Sequence, residues 1–223
     1  MNERVLRDEL FKEFARIGKC LSSPKRLEIL DVLVQGPKSV ENISKMTSMS
    51  IANVSQHLQT LHHAKLVDYK KRGNFVYYEL ADPSVLHFLD SLYGLSEQQL
   101  IEVQHIKKEF LGQLSGVEEV SMEELQSRME AGKVTLIDVR PRDEYEAAHI
   151  QGAVSIPIEE LADQLASLPE DTKVVAYCRG PYCLMSVRAI ELLKSKGIDA
   201  ARLDKRVQDW NAFINHLNNE VFN

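Results

Sequence analysis

The feature that most constrains this chain is a change in the character of its hydrophobic pattern around Gly112-Gln113-Leu114-Ser115-Gly116. Before that break, apolar residues recur every three or four positions, interrupted once by two runs rich in Val, Tyr and Phe. After it, short apolar runs alternate with helical stretches. Patterns of different period bury different faces, so blocks of each imply separate cores. With 223 residues there is room for two. The expected division is a mainly-α domain over 1–112, a linker at 113–118 and an α/β domain with a central parallel sheet over 119–223.

Within the first block, Leu6, Leu10, Phe14, Ile17 and Leu21 mark an amphipathic helix ending near Ser22-Ser23-Pro24. Arg26 to Val34 gives a second helix, stopped by Gln35-Gly36-Pro37. A short helix at about 40–46, a turn at Thr47-Ser48-Met49-Ser50 and a longer helix over 51–63 follow. Leu66–Lys71 and Phe75–Leu80 then read as strands joined across Arg72-Gly73-Asn74. A long helical pattern runs on from Asp82-Pro83 to Phe110. In the second block, Ser121 to Glu124 has the spacing that opens a helix. Val134–Val139 and Val174–Tyr177 read as buried strands, and 159–168 and 184–196 as helices.

Apolar content of 44% and charged content of 27% suit a globular protein. Acids and bases fill the first eight residues, which is not the pattern of a signal peptide, and no stretch approaches the roughly 18 apolar residues of a membrane helix. A cytoplasmic location without membrane association is expected, and Cys20, Cys178 and Cys183 are read as thiols. The net charge of −6 hides an asymmetry. Residues 1–115 hold 15 Lys+Arg against 14 Asp+Glu, the remainder 12 against 19. A nucleic-acid surface would therefore be a local basic cluster in the first half.

Helix, turn, helix and strand pair is the order of a winged helix-turn-helix, whose second helix enters the major groove. On the helix 51–63, Ile51, Val54, Leu58 and Leu61 share one face at about 100° per residue. Asn53, Gln56 and Gln59 lie away from it, where amides suit base edges. Lys70, Lys71 and Arg72 form the only basic run of three, at a hairpin tip where phosphates would be tracked. The same residues would also serve as an ordinary solvated helix face and hairpin tip.

The stretch Val54-Ser55-Gln56-His57-Leu58-Gln59-Thr60-Leu61, continued to Val67, together with Lys71-Arg72-Gly73-Asn74-Phe75-Val76-Tyr77-Tyr78 and Ser23 to Leu30, resembles the ArsR/SmtB-type repressors over roughly residues 8–95. The resemblance implies a homodimer paired through its first and last helices on an inverted-repeat operator of double-stranded DNA. It places Asn53, Ser55, Gln56, His57, Gln59, Thr60, Lys70, Lys71 and Arg72 at the DNA. The cysteine pair by which some members sense soft metals is missing, since residues 39–60 contain no cysteine. Asp82, His87, Asp90 and His105 lack diagnostic ligand spacing, so no metal site and no cofactor is expected. Cys20 has no second cysteine in its half and reads first as a small buried hydrophobe, with a redox or persulfide role as the alternative.

In the second half, Leu136 to Arg140, Glu144-Tyr145, His149 to Ala153 and Ile156-Pro157 form a set that resembles the rhodanese superfamily over about 120–210. The chemistry would lie at Tyr177-Cys178-Arg179-Gly180-Pro181-Tyr182-Cys183, a strand end, a tight loop and a helix start at Leu184. Loop amides and a helix N-terminus there favour an anion, so the Cys178 thiolate is expected to be stabilised, with Arg179 a nearby cation. The resemblance implies that Cys178 takes up a sulfane sulfur as a persulfide and passes it to an acceptor thiol. Cysteine phosphatases, which share such a loop, need an arginine where this chain has Leu184. Cys183 departs from the simplest rhodanese loops; it either resolves Cys178 as a disulfide or faces the core. Leu203-Asp204-Lys205-Arg206 stands where a glycine pair is common before a tryptophan, here Trp210. The resulting expectation is a transcriptional regulator, read as a repressor, in which sulfane sulfur or a related thiol-reactive signal is handled at Cys178. A sulfurtransferase with a dimerising winged domain and an inactive rhodanese fold used for binding are its rivals.

Overall fold

The computed structural model describes residues 2–73, 75–112, 117–169 and 172–221. The chain divides into two compact units, Met1–Gln99 and Leu100–Asn223.

The first unit begins with α1 (Glu3–Leu21), capped by Asn2, whose side chain accepts from the Arg4 amide at 3.0 Å. Pro24 starts α2 (Pro24–Val34), a position where a missing N–H costs nothing. After β1 (Lys38–Ser39) come α3 (Val40–Thr47) and α4 (Ile51–His63), capped by Ser39 and Ser50. The turn between them is made by Ser48 in the left-handed region at φ 54°. A hairpin follows, β2 (Val67–Arg72) and β3 (Phe75–Leu80), with β3 central in a three-stranded antiparallel sheet ordered β1-β3-β2. Ile29, Leu30, Leu33, Ile43, Val54, Leu58, Leu61, Val67 and Leu89 form its core. Each fully buried aliphatic side chain of this kind stabilises by about 1.5–3 kcal/mol. Helix α5 (Pro83–Gln99) closes the unit.

Two expectations change here. Leu6, Leu10 and Phe14, read as the buried stripe of the first helix, are exposed, and so is Ile51 at the start of α4. The periodicity marked an apolar face in each case, but among the described residues these side chains stay uncovered.

Helix α6 (Ile101–Gly112) groups with the second unit. The linker expected at 113–118 lies largely outside the described residues, and Glu118 already belongs to a strand. Strands β4 (Glu118–Glu119), β5 (Val134–Asp138), β6 (Val154–Ser155), β7 (Lys173–Tyr177) and β8 (Ala200–Leu203) form one parallel sheet ordered β4-β8-β7-β5-β6. A buried parallel sheet needs cover on both faces. Along β7 the side chains alternate: Val174 and Ala176 join Ile190 and Leu193 of α10 (Leu184–Ser195), whereas Val175 and Tyr177 join the core containing Leu125 of α7 (Met122–Glu130) and Trp210 of α11 (Val207–Val221). Between strands lie α8 (Arg142–Ala147) and α9 (Leu161–Gln164). The helix expected over 159–168 is only this short turn plus a tightened turn at Leu165–Ser167, because Leu168 goes extended ahead of Pro169.

Candidate functional site

The alternation that buries β7 decides where its next residue points. Cys178 continues the series Val174, Ala176, lies on the α10 side and is 1% exposed. It follows the C-terminal end of a central parallel strand, the position at which open α/β sheets place their ligands. Its Sγ is 3.1 Å from Ser186 Oγ, one turn into α10, and 3.6 Å from the Cys183 carbonyl oxygen.

The loop that follows is held from beneath. Arg202 on β8, 2% exposed, donates to the Gly180 carbonyl at 3.2 Å and the Pro181 carbonyl at 2.8 Å. Gly180 has φ +104°, and a Cβ there would lie 2.8 Å from Cγ of buried Arg206, so conformation and space both require glycine. The Cys183 amide donates to the Gly180 carbonyl at 3.2 Å, which closes the turn and sets Cys183 as the N-cap of α10. Arg179 turns to Glu144 on α8, donating through Nε at 3.0 Å and Nη2 at 2.6 Å to a carboxylate that is fully buried. Beside it, Arg140 clasps Asp138 at the end of β5 and donates to the Ala148 carbonyl. Burial pushes the Tyr177 hydroxyl pKa up, with Asp138 adding to it, and Tyr177 Oη accepts from the Ile150 amide at 3.1 Å. Tyr182, 45% exposed, lies 5.8 Å beneath the Lys107 ammonium of α6.

The two thiols of the loop are shifted in opposite directions. Burial pushes the Cys178 thiol pKa well up, and a hydrogen bond with Cys183 and the charge of Cys183 add to that, while Ser186 opposes it. The lowered thiol is Cys183, at about 6. A hydrogen bond from Cys178 is the largest cause; the amides of Arg179 and Met185 and the charge of Arg179 act in the same direction, against burial. The two thiols are coupled, so the loop supports one negative charge shared by Cys178 and the half-buried Cys183. Leu184 is the first residue of α10 and brings no guanidinium to the loop. Ser186, Arg202 and the clamp of Glu144 on Arg179 were not assigned to the site from sequence. A hydrophilic Ser186 on the face of α10 that also carries Ala189, Ile190 and Leu193 was the available signal.

In the first unit, α4 carries Val54, Leu58 and Leu61 inward. Asn53, Gln56, Gln59 and Thr60 are exposed, and Ser55 and His57 flank the buried stripe, half-buried. The Thr60 hydroxyl is turned back to the Gln56 carbonyl at 3.0 Å. Lys70, Lys71 and Arg72 belong to β2 and alternate across the hairpin. Lys70 pairs with Glu79 and Arg72 lies 5.4 Å over the Tyr77 ring, which leaves Lys71 on the opposite face. Asn74 lies outside the described residues. Cys20 is buried, with Sγ 3.8 Å from the Thr60 carbonyl oxygen and its pKa raised by burial against the opposing charge of Arg26, the setting of a packed thiol. Among the described residues no group of three or more His, Cys, Asp or Glu could hold a metal ion, and no helix is long and apolar enough to cross a membrane.

Two family models match the chain: the bacterial regulatory protein arsR family over residues 23–69, and the rhodanese-like domain over 121–213. The HTH-type transcriptional regulator Rv0324 of Mycobacterium tuberculosis is 40% identical over 201 residues, covering 90% of this chain and 88% of that protein. The human thiosulfate:glutathione sulfurtransferase is 33% identical over 101 residues, 40% of this chain and 88% of that enzyme. Among solved structures, the homodimeric winged helix-turn-helix domain of Mb0332 from Mycobacterium bovis is 32% identical with a TM-score of 0.42, covering 45% of this chain and 91% of that one.

Fold and site together define a winged helix-turn-helix regulator joined to a rhodanese-like domain. The chain belongs to the ArsR-family HTH-type transcriptional regulators that carry such a domain at their C-terminal end.

Proposed function

We propose that this regulator is a cytoplasmic repressor that binds an inverted-repeat operator as a homodimer and leaves it when sulfane sulfur, or a related thiol-reactive signal, is taken up at the loop between β7 and α10. The observation that carries the reading is the pair Cys178 and Cys183 on one glycine-tightened loop, in a chain whose other unit presents amides on α4 and a basic hairpin. Neither thiol is spent on a structural bridge, and the loop holds one of them as an anion near neutral pH. Helix α4 supplies Gln56 and Gln59 to base edges, with Asn53, Ser55, His57 and Thr60 around them; β2 supplies Lys71 and Arg72 to phosphates. Dimerisation would cover the exposed Val5, Leu6, Leu10, Phe11 and Phe14 of α1, an apolar face a soluble monomer seldom leaves open.

The test is a gel-shift titration on DNA flanking the protein's own gene, comparing reduced and polysulfide-treated samples. The treated sample should need at least tenfold more protein for half-saturation, and equal affinity would overturn the coupling. The match to a human sulfurtransferase favours a second reading, in which the chain turns over a sulfane donor and an acceptor thiol and the winged unit serves dimerisation. Steady multiple turnover with thiosulfate and glutathione, together with no operator binding, would establish that reading instead.

A further inference from the structure

We infer that Arg202 is a positioning residue of the loop between β7 and α10: by holding the Gly180 and Pro181 carbonyls it turns the Tyr182 amide inward, toward the anionic sulfur of the loop. The assignment rests on the reading that this loop handles sulfane sulfur, and it names the side chain that shapes the anion seat. It holds for whichever of the two thiols carries the charge.

Three observations carry it. The first is position. Arg202 on β8 lies beside Ala176 in the register with β7, one step short of Cys178 on the same face of the sheet. The short Ala176 side chain leaves room for the arginine stem to run toward the strand end. Arg202 is 2% exposed, and its Nη2 donates at 3.2 Å to the Gly180 carbonyl and at 2.8 Å to the Pro181 carbonyl. The second is peptide geometry. In a planar trans peptide the carbonyl of one residue and the N–H of the next point in opposite directions. The Pro181 carbonyl faces Arg202, so the Tyr182 N–H faces away from it. Pro181 has no N–H to misdirect, and the Cys183 N–H is used on the Gly180 carbonyl. Tyr182 is then the amide that Arg202 aims, and it joins those of Arg179, Met185 and Ser186, which already reach the two thiols.

The third is cost. A guanidinium this deeply buried is expensive to hold. Its Nε has no partner among the described residues, and the carboxylate paired with it, Glu119 at 3.5 Å, is 56% exposed. An apolar side chain on the covered face of a parallel sheet would pack without that cost. What the arginine adds is its pair of directed bonds to the loop.

The full-length protein is compared with Arg202→Met and Arg202→Lys by denaturant unfolding, by the rate of sulfur uptake from inorganic polysulfide at neutral pH, and by the Tyr182 amide proton in the NMR spectrum. Arg202→Met strands no buried charge and should unfold at the wild-type denaturant concentration or above. Its uptake at saturating polysulfide should be slower by about a hundredfold, the loss typical when one aimed donor is removed. The Tyr182 amide proton should move downfield on uptake in wild type and stay in place in Arg202→Met. Arg202→Lys keeps N–H donors at the carbonyls and should recover most of the rate and of the downfield movement. Wild-type uptake in a folded Arg202→Met would overturn the assignment, and so would a methionine variant that does not fold, which would make Arg202 a structural residue. A wild-type Tyr182 amide indifferent to uptake would overturn it without any variant. A wild type that takes up no sulfur would overturn the underlying reading alone: the Tyr182 resonance is then followed while the loop thiols are titrated, and movement in wild type but not in Arg202→Met would still uphold the role of Arg202.

Discussion

Two thiols in one loop cannot both hold a negative charge cheaply, and at this site burial decides between them. The first residue-scale prediction concerns the anion on Cys183. Its pKa lies below the usual thiol value, at about 6, so the thiolate forms as pH rises through that point. The groups acting on it are Cys178, the largest, then the backbone amides and Arg179, itself neutralised in part by Glu144. Iodoacetamide labelling mapped to Cys183 should rise with a midpoint near pH 6, and Cys178→Ala should move the midpoint toward 9; an unmoved midpoint would contradict the hydrogen bond as main cause. The same lowered value makes the thiolate a source of stability that is complete above the unfolded-state pKa and lost as pH falls through about 6. A second prediction concerns the fully buried Asp138–Arg140 pair. Removing one partner of such a pair strands a charge in the interior, which typically costs about 3–5 kcal/mol. Arg140→Met should show a loss of that size in the denaturant unfolding of the second unit, read by the fluorescence of Trp210. A loss below about 1 kcal/mol would contradict a stranded-charge cost at this pair.

At the scale of elements, the wing divides into faces that differ in what they leave free for DNA. Lys70 faces Glu79 and Arg72 covers Tyr77, so among the described residues Lys71 is the wing cation left on the opposite face. Each phosphate contact contributes about 0.9 to the slope of log affinity against log salt. Lys71→Ala should lower that slope by roughly one, and Lys70→Ala by less, when binding is measured across a salt series. Gln56→Ala on α4 should leave the slope unchanged and relax preference at one base position by about 1–3 kcal/mol. The elements themselves were largely legible: α4, β2 and β3, β5, β7 and α10 all fall within about two residues of the positions their periodicity implies. Two-residue strands such as β1 and β6 were not, since they exist only through a neighbour's hydrogen bonds and leave no period to read. Nor could spacing show which faces stay uncovered, as the exposed Leu6, Leu10 and Ile51 illustrate. At the site, the motif located the loop and both cysteines, whereas the thiolate's position depended on burial and on amide directions that only the folded loop supplies.

For the whole molecule the question is how an event at the loop could reach an operator, and the route with physical content is the one the chain itself provides. Helix α5 ends at Gln99 and α6 begins at Ile101, so only Leu100 intervenes between them. On α6, the Lys107 ammonium lies over the Tyr182 ring, which sits next to Cys183 in the loop. A disulfide between Cys178 and Cys183 would draw the half-buried Cys183 toward the sheet, and Tyr182 is the neighbour that must move with it. An exposed cation–π contact of this type is worth about 0.5–1 kcal/mol, near the lower end of the 1–3 kcal/mol typical of coupling between two sites. Removing it should therefore weaken the response without abolishing it. Tyr182→Ala is expected to bind the operator with wild-type affinity when reduced and to take up polysulfide sulfur at an undiminished rate. Its affinity ratio between reduced and treated protein should nevertheless fall by about two- to fivefold, in line with the energy of that contact. Paired gel-shift titrations and mass mapping on the same samples would separate the three quantities. An unchanged ratio would show that the signal leaves the loop by a path other than α6, and a slowed uptake would place Tyr182 in the chemistry instead of the relay.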